Sequence, residues 1–372
     1  MLKIANFVTD DKFIDSVIDI QEMLSRGCAH DYIHVTAKKD KPFEYVKRPE
    51  RLTLLRRREV LPYLTGNGFD AVFLHNFFSL PWDITCQIGE GIKVFWFAWG
   101  WDIYSTPQMK PAIDMELYHP ETRSAVPEKN PPGFIEQREY EDYVKAVKRV
   151  DYFSGILPSE YDLMRQNPYF RARPVTYVYT KKAIIDRIEA GGDFCEGENI
   201  IVGNSADPAC NHLDVLPYLT KLDIGDRKVY LPLSYSGSRH YAELVARRYK
   251  EVLGESAVVL SEFVPFEEYS KIWQSCGYGI FFSERQQANG SLVNMSWNGC
   301  KLFLSETSIG YKYLSGIGMK LFTVQGDLAP GSWEAPLTPG DRRSNREIIY
   351  KMRSRQAVSD VLSDICKIIG ET

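Results

Sequence analysis

Short apolar runs alternate along the whole chain with stretches in which apolar residues recur every three or four positions. Apolar runs are typical of buried strands, and the longer spacing is typical of amphipathic helices. Residues 2–8 and 32–37 are predicted strands of this kind, and apolar side chains from Phe13 to Leu24 follow the helical spacing between them. The pattern therefore predicts α/β domains in which helices cover parallel sheets.

The predicted strands form two series, which divide the chain into two domains. The first series comprises residues 2–8, 32–37, 71–76, 93–99, 152–157 and 174–179, and the second comprises residues 198–203, 228–233, 257–261, 279–283, 301–304 and 320–324. Residues 181–198 are polar and turn-forming and are predicted to be a linker, so the domains span residues 1–180 and 199–344. A helical pattern over residues 345–372 predicts a C-terminal helix. Six prolines within residues 105–134 predict an irregular excursion of the N-terminal domain.

The charges nearly cancel, because 45 Lys and Arg stand against 49 Asp and Glu in the 372 residues. The net charge of -4 creates no global attraction to nucleic acid, so we exclude nucleic acid as a partner and expect any basic surface to be local. No apolar run approaches the roughly 20 residues that span a bilayer, and no hydrophobic signal region follows Met1. Seven cysteines without a C-x-x-C pair predict reduced thiols. These features predict a cytoplasmic protein.

Several common catalytic signatures do not occur in the sequence. The Walker phosphate loop, the H-E-x-x-H zinc motif, the G-x-S-x-G nucleophile elbow and the dinucleotide G-x-G-x-x-G are all missing. An Asp-x-Asp that would hold a nucleotide diphosphate through a metal is missing too. The sequence therefore favours chemistry that needs no metal.

Two predicted strand-to-helix loops carry residues suited to binding an anion or a sugar. In the first, Gly203-Asn204-Ser205-Ala206-Asp207, the glycine permits close approach, and the N–H groups of the following helix point toward a phosphate. The second, residues 285–291, places Arg285 beside two glutamines at a helix start, where arginine can pair with a diphosphate. The alternative for the first loop is an ordinary turn with a helix cap, and the alternative for the second is a solvated loop.

A third candidate is the aromatic stretch 95–104. Three tryptophans surround Asp102 at the end of a predicted strand, and carbohydrate sites combine aromatic faces with a carboxylate. His75 ends the preceding strand, and the ordinary histidine pKa of about 6.5 suits a general base. The alternative is an aromatic core with a helix cap and a packed histidine.

Residues 47–61 interleave arginines with leucines, which predicts a basic amphipathic helix. Such a helix either lies on an anionic membrane surface or presents a solvated face. Its densest basic cluster is Arg56-Arg57-Arg58.

Several ordered patches between residues 71 and 317 resemble the bacterial lipid-linked fucosamine transferases. The matching patches are His75, Trp99-Gly100 with Asp102 and Tyr104 (W-G-x-D-x-Y), Val202-Gly203-Asn204-Ser205 with Asp207 (V-G-N-S-x-D) and His212, Pro232 with Tyr235 (P-x-x-Y), and Arg285-Gln286-Gln287 with Gly290 (R-Q-Q-x-x-G). The resemblance implies the GT-B fold, in which two Rossmann-like domains face each other across a cleft. The C-terminal domain would bind the nucleotide donor and the N-terminal domain the acceptor. In many such folds the last helix crosses back to the first domain.

The resemblance also implies an activity and a set of site residues. The implied reaction moves N-acetylfucosamine from a dTDP donor to a lipid-linked saccharide in polysaccharide synthesis, at the inner face of the membrane and without a cofactor or metal. The implied donor-binding residues are Gly203, Asn204, Ser205, Asp207, Tyr235, Arg285, Gln286, Gln287, Asn289, Gly290 and Ser291. The implied acceptor-binding residues are Trp99, Trp101 and Tyr104. The predicted base is Asp102 or His75, because both lie at strand ends of the acceptor-side domain.

One departure and two alternatives accompany this resemblance. Many retaining GT-B enzymes carry two glutamates eight positions apart, but Glu284 is followed at that spacing by Leu292. A sugar-nucleotide epimerase of the same fold would use the same donor pocket without an acceptor. A two-domain sugar-binding protein is the alternative without catalysis.

Overall fold

A computed structural model describes residues 1–104, 115–126 and 137–371 of the chain. The described residues form two units, each built around its own sheet. The first unit contains residues 1–104, 137–189 and 353–371, and the second contains residues 115–126 and 190–352. The α/β class and the two Rossmann-like domains predicted from the sequence are confirmed.

Both sheets are entirely parallel. The strands of the first are β1 (Leu2–Phe7), β2 (Cys28–Val35), β3 (Leu52–Leu55), β4 (Ala71–His75), β5 (Lys93–Phe97), β6 (Tyr152–Ser154) and β7 (Arg173–Pro174). Those of the second are β8 (Asn199–Val202), β9 (Val229–Pro232), β10 (Ala257–Leu260), β11 (Cys276–Phe281), β12 (Lys301–Leu304) and β13 (Phe322–Thr323). Strand β4 is buried along its whole length, which is why it reads as a continuous apolar run.

Helices connect the strands and cover the sheets. In chain order they are α1 (Ile14–Leu24), α2 (Val60–Asn67), α3 (Trp82–Thr85), α4 (Trp101–Tyr104), α5 (Pro120–Ala125), α6 (Gln137–Arg149), α7 (Ser159–Met164), α8 (Lys182–Ala190), α9 (His212–Leu219), α10 (Arg239–Leu253), α11 (Phe266–Ser275), α12 (Asn289–Asn298), α13 (Ile309–Gly316), α14 (Val324–Asp327), α15 (Pro339–Arg353) and α16 (Arg355–Gly370). In the described ranges, every helix is too short or too polar to cross a bilayer.

The strand order places one switch point in each sheet. The first sheet runs β3-β2-β1-β4-β5-β6-β7. Strands β2 and β3 are therefore added on one side of β1 and the later strands on the other, so the order reverses between β1 and β4. The second runs β10-β9-β8-β11-β12-β13 and reverses between β8 and β11. Open α/β sheets bind ligands outside the carboxyl ends of the strands at such a point. The loops after these four strands are therefore the first places to look for a site.

Helix α16 completes the core of the first unit. Its buried face, which includes Leu362 and Ile365, packs in one cluster with Phe73 of β4 and Phe95 of β5. The chain thus returns to the first unit at its end. The structure also joins Cys28 of β2 to Cys366 of α16 as a disulfide, where the cysteine spacing predicted reduced thiols.

Three predictions of local structure need correction. The basic helix predicted over residues 47–61 is wrong, because Leu52–Leu55 pair with β2 as an edge strand and the helix starts only at Val60. The linker predicted over residues 181–198 begins later, because α8 starts at Lys182 and buries its isoleucines in the first unit. The excursion of the N-terminal domain predicted over residues 105–134 differs as well. Of these, residues 115–126 lie in the second unit, and the remainder lies outside the described residues.

Candidate functional site

The loop after β8 is shaped by a close approach between Gly203 and a buried histidine. Gly203 has φ +67°, and a Cβ atom there would lie 2.4 Å from Nε2 of His212. Any other residue would therefore collide with the imidazole and strain the backbone. Burial lowers the pKa of His212 to about 4, so this ring is neutral at physiological pH.

An ion pair joins the two loops at the second switch point. Nη2 of Arg285, which follows β11, donates to Oδ2 of Asp207, which follows β8, at 2.9 Å. The other oxygen of Asp207 accepts from the backbone N–H of Ala209 at 2.9 Å. The side chains of Arg285 and Asp207 are 10% and 23% exposed, so the pair is little screened by water. The structure thus brings together two predicted donor-binding residues 78 positions apart.

Other predicted donor-binding residues fix the shape of these loops. Nε2 of Gln287 lies 2.9 Å from Sγ of Cys210 and 3.4 Å from Oγ of Ser205. The backbone carbonyl of Tyr235 accepts from Ala206 N at 2.8 Å. Ser205 and Gln286 are both buried. These contacts indicate that the two glutamines and the serine contribute to the packing of the site.

Helix α12 begins directly beside the Arg285 loop. The preceding residue, Ala288, adopts the left-handed conformation with φ 61°, which a non-glycine residue rarely does. The first turn contains Asn289, Gly290 and Ser291, and nothing lies within 4 Å of a Cβ built at Gly290. Backbone N–H groups in the first turn of a helix have no partner within the helix, and the helix dipole favours an anion there.

The two predicted bases lie in the interior of the first unit. Nδ1 of His75 lies 2.8 Å from the Tyr179 hydroxyl and Nε2 lies 3.1 Å from Oδ1 of Asn6. Burial lowers the pKa of His75 to about 3. Asp102 accepts hydrogen bonds from Phe77 N, Trp96 Nε1 and Trp99 N, at 3.0, 2.7 and 2.9 Å. Burial raises the pKa of Asp102 despite these contacts. The catalytic role of both residues stays a prediction.

The sequence reasoning missed a half-buried carboxylate at the first switch point. Asp11 follows β1 and accepts a hydrogen bond from Phe13 N at 3.0 Å. Burial raises the pKa of Asp11, and it lowers the pKa values of Lys12, to about 8, and of Lys181. The signal was available, because Asp10-Asp11-Lys12 directly follows the first predicted strand and charged side chains there lie at the ligand-binding edge of a parallel sheet.

The three predicted acceptor-binding aromatics have different surroundings. Trp99 packs edge-on against Phe13 and Tyr179, with ring centroids 5.9 and 5.8 Å away. Trp101 is 41% exposed and stacks on Phe78 at 4.6 Å. Tyr104 is buried. Exposure therefore leaves Trp101 the most accessible of the three rings.

The hydroxyl of Tyr104 donates to Oε1 of the buried Glu160 at 2.7 Å. Burial raises the pKa of Glu160 to about 7 from 4.5, so folding favours its protonated form. The protonated Glu160 contributes its whole stabilisation below pH 4.5, and this stabilisation is lost as the pH rises to about 7. The loss in the free energy of unfolding is roughly 3 kcal/mol. Glu160→Gln mimics the neutral acid and lacks this pH dependence. The unfolding free energy of the wild type should therefore fall by that amount relative to the variant as the pH rises from 4 to 8. Denaturant titrations with parallel pH profiles for the two proteins would contradict this assignment.

Comparison with known families agrees with the predicted resemblance. Residues 166–315 match the sequence model of the 4-alpha-L-fucosyltransferase family, glycosyl transferase group 56. The matched range includes both loops of the second switch point. The similarity to a fucosyltransferase family is confirmed for this part of the chain.

Solved structures with the same architecture cover nearly the whole chain. Sucrose-phosphate synthase from Thermosynechococcus elongatus aligns with a TM-score of 0.65 at 10% identity, over 100% of this chain and 99% of that one. The Anabaena protein HepE in complex with UDP aligns with a TM-score of 0.62 at 9% identity, over 99% and 100%. A glycosyltransferase from Rickettsia africae aligns with a TM-score of 0.62 at 9% identity, over 100% and 99%. The GT-B fold is confirmed, and residues 166–315 are similar to a glycosyltransferase family.

Proposed function

We propose, starting from this glycosyltransferase fold and family match, that the protein transfers N-acetylfucosamine or a related deoxyamino sugar from a dTDP donor to a lipid-linked saccharide. The observation that carries the proposal is the Asp207–Arg285 pair at the second switch point, beside the start of α12. A guanidinium offers five N–H donors in a fixed plane, and the contact with Asp207 orients that plane. The arrangement suits a diphosphate bound across the two loops.

The chemistry follows from the charges that change during transfer. The acceptor hydroxyl forms a bond to the anomeric carbon of the sugar, and the bond from that carbon to the diphosphate oxygen breaks. The leaving nucleoside diphosphate gains negative charge, which Arg285 and the N–H groups at the start of α12 stabilise. A general base takes the proton of the acceptor hydroxyl.

A donor screen tests the proposed function directly. The unfolding temperature would be measured with dTDP, UDP and GDP. A lipid-linked acceptor would then be incubated with the matching nucleotide sugar and analysed by mass spectrometry. UDP is included because the structure of HepE was solved in complex with it. We expect dTDP to raise the unfolding temperature most and the acceptor to gain one sugar. Failure of all three nucleotides to stabilise the protein would contradict the proposal.

The same assay separates the enzymatic alternatives. A transferase releases nucleoside diphosphate only when an acceptor is present, whereas a sugar-nucleotide epimerase converts its substrate without one. Changed donor sugar in the absence of acceptor would favour the epimerase. Binding of nucleotide sugar with neither product would favour a sugar-binding protein.

Turnover should survive treatment with EDTA. The expectation rests on Arg285 and the start of α12, which neutralise diphosphate charge without a divalent cation, and on the missing Asp-x-Asp in the sequence. Initial rates would be compared before and after chelation and after return of Mg²⁺ or Mn²⁺. Loss of activity that either metal restores would overturn the expectation.

We further propose that the protein docks on an anionic membrane surface through its first unit. Arg56, Arg57 and Arg58 are exposed, and Arg57 forms an ion pair with Asp83 of α3. Helix α3 also places Trp82 5.4 Å from Phe78, which stacks on Trp101. The arginine cluster and the exposed Phe78–Trp101 pair are therefore close together. Arginines attract anionic lipids, and aromatic rings favour the membrane interface.

Replacing Arg56, Arg57 and Arg58 by Glu should weaken sedimentation with anionic vesicles by about 100-fold or more. Each basic residue near such a surface contributes about 1 kcal/mol, and each 1.4 kcal/mol is about a factor of ten. The matched control reverses three exposed arginines of α10 in the second unit, Arg239, Arg247 and Arg248. Equal binding by both variants would remove the cluster from the proposed docking surface.

A further inference from the structure

Residues 115–126 precede β6 of the first unit in the chain but pack on the second unit. Their anchor is Asp214 of α9, whose carboxylate accepts from Glu121 N and Thr122 N at 2.8 and 2.9 Å. These are N–H groups of the first turn of α5, so Asp214 satisfies donors that the helix itself leaves without partners. Thr122 is fully buried in this contact. The segment is therefore fixed on the second unit by charge-assisted hydrogen bonds.

A second anchor joins the segment to the end of β11. Oδ1 of Asn211 accepts from His119 N at 2.9 Å, while its Nδ2 donates to Leu117 O at 3.1 Å and to Phe282 O at 2.9 Å. Asn211 has φ 51°, a left-handed conformation that asparagine tolerates better than most residues. One side chain thus connects α9, the segment and the loop that carries Arg285.

These anchors place His119 against the residues that follow β11. Its ring stacks on Phe282 with centroids 4.1 Å apart, and its Nε2 lies 2.8 Å from Oε1 of Glu284. The same carboxylate accepts from the hydroxyls of Ser305 and Thr307. Burial raises the pKa of Glu284, but the hydrogen bonds from His119, Ser305 and Thr307 outweigh it and hold the pKa below its ordinary value. Glu284 is therefore an oriented carboxylate.

The preceding residue, Tyr118, is partly buried. Burial raises the pKa of its phenol, the charge of Asp207 raises it further, and the charge of Arg285 lowers it. The Tyr118 ring is thus within electrostatic reach of the ion pair that joins the two loops. His119 contacts Phe282 and Glu284, which directly precede Arg285, the residue that the proposed function assigns to the donor diphosphate.

We propose that His119 completes the donor site, and that Glu284, positioned by His119, binds a hydroxyl of a sugar ring of the nucleotide donor. A carboxylate accepts up to about four hydrogen bonds, and His119, Ser305 and Thr307 supply three within the described residues. Both the pentose and the transferred sugar flank the diphosphate, so a ligand held at Arg285 brings a sugar ring next to Glu284. This inference rests on the proposed function and extends its site beyond the matched residues 166–315.

Glu284→Gln and His119→Phe test the inference by calorimetry. Glutamine keeps the shape of Glu284 without its charge, and phenylalanine keeps the stacking on Phe282 without the imidazole nitrogen. The ligands are the nucleotide sugar, the nucleoside diphosphate and inorganic diphosphate. We expect Glu284→Gln to weaken binding of a ring-bearing ligand about ten- to a hundredfold, since hydrogen bonds to charged groups are strong, and inorganic diphosphate to bind as before. His119→Phe should reduce the same affinities by a smaller factor.

Arg123→Ala is the matched control, because Arg123 lies on α5, which begins directly after His119. Its side chain contacts the exposed Glu116 and the Tyr118 carbonyl rather than Glu284. Thermal unfolding would verify that every variant folds. A loss confined to the nucleotide sugar would assign Glu284 to the transferred sugar, and an equal loss for the nucleoside diphosphate would assign it to the pentose. Either result supports the inference.

Two results would overturn the inference. Unchanged affinity for all ligands in folded variants would show that Glu284 touches no sugar ring, and an equal loss that includes inorganic diphosphate would show a merely structural effect. In both cases the proposed function survives if the wild type binds the nucleoside diphosphate and Arg285→Ala weakens that binding. A wild type that binds no nucleotide contradicts the proposed function as well.

Discussion

Asp11→Asn should lower the turnover number about 10²- to 10⁴-fold, which is the usual loss when a general base is removed. Asp11 is proposed as the base because it combines three properties. It follows β1 at the first switch point, it is only half-buried, and burial raises its pKa toward the range in which a carboxylate accepts protons efficiently. Donor affinity should stay within a factor of about three, because the diphosphate is assigned to the second unit.

Asp10→Asn is the matched control for this substitution. Asp10 is the adjacent residue, but its carboxylate accepts from three backbone N–H groups, those of Glu44, Tyr45 and Val46. An amide there leaves N–H groups unsatisfied, so the variant should lose stability, at roughly 1–3 kcal/mol for each such group that is buried, more than activity. Calorimetric unfolding and steady-state kinetics on both variants separate the two effects.

Asp102→Asn and His75→Gln complete the series, since the sequence predicts the base to be one of these two strand-end residues. An amide at position 102 cannot accept all three N–H groups that now bind Asp102, so we expect a loss of stability in this variant. If Asp11→Asn retains more than a tenth of wild-type turnover while either other variant folds normally and loses a hundredfold, the base is that residue. The pH profile of the rate gives a second test. If Asp11 is the base, the rate should fall at low pH as Asp11 is protonated, with an apparent pKa above the ordinary aspartate value of 3.8.

Arg285→Ala should weaken the affinity for nucleoside diphosphate about ten- to a hundredfold. A charge-assisted hydrogen bond contributes roughly 1.5–3 kcal/mol, and each 1.4 kcal/mol is about a factor of ten. The variant also leaves the partly buried Asp207 without its cation, which adds repulsion toward a bound phosphate. Calorimetry with the diphosphate and with the nucleoside alone measures the two contributions separately.

Arg285→Lys should recover only part of the loss, because an ammonium keeps the charge but not the planar set of donors. A control for local repacking is Gln287→Met, which adds no charge and changes a neighbour that contacts Cys210 and Ser205 rather than Asp207. If Arg285→Ala weakens the binding of the nucleoside and of its diphosphate equally, Arg285 does not contact the phosphates. The assignment of the donor diphosphate would then move to other groups at the start of α12.

The apolar pattern determined most of the fold. Twelve of the thirteen strands in the described part of the chain overlap a predicted strand, and strands that are buried on both faces, such as β4, are apolar whatever their neighbours are. The missed strand, Leu52–Leu55, is an edge strand whose leucines also fit a helical spacing. Only its pairing with β2 decided between the two. Local pattern is weakest where a short segment owes its conformation to a partner distant in sequence.

The sequence by itself also identified the two loops that meet at the second switch point, since glycine, aspartate and arginine at strand ends carry their chemistry wherever the sheet places them. Tertiary structure alone decided which candidate side chains are buried and which contact one another. It buried His75 and Asp102, left Asp11 at the edge of its sheet, and brought residues 115–126 onto the second unit so that His119 meets Glu284 165 positions away. Burial and contacts between distant residues depend on how whole elements pack, and neither is written in the spacing of residues along the chain.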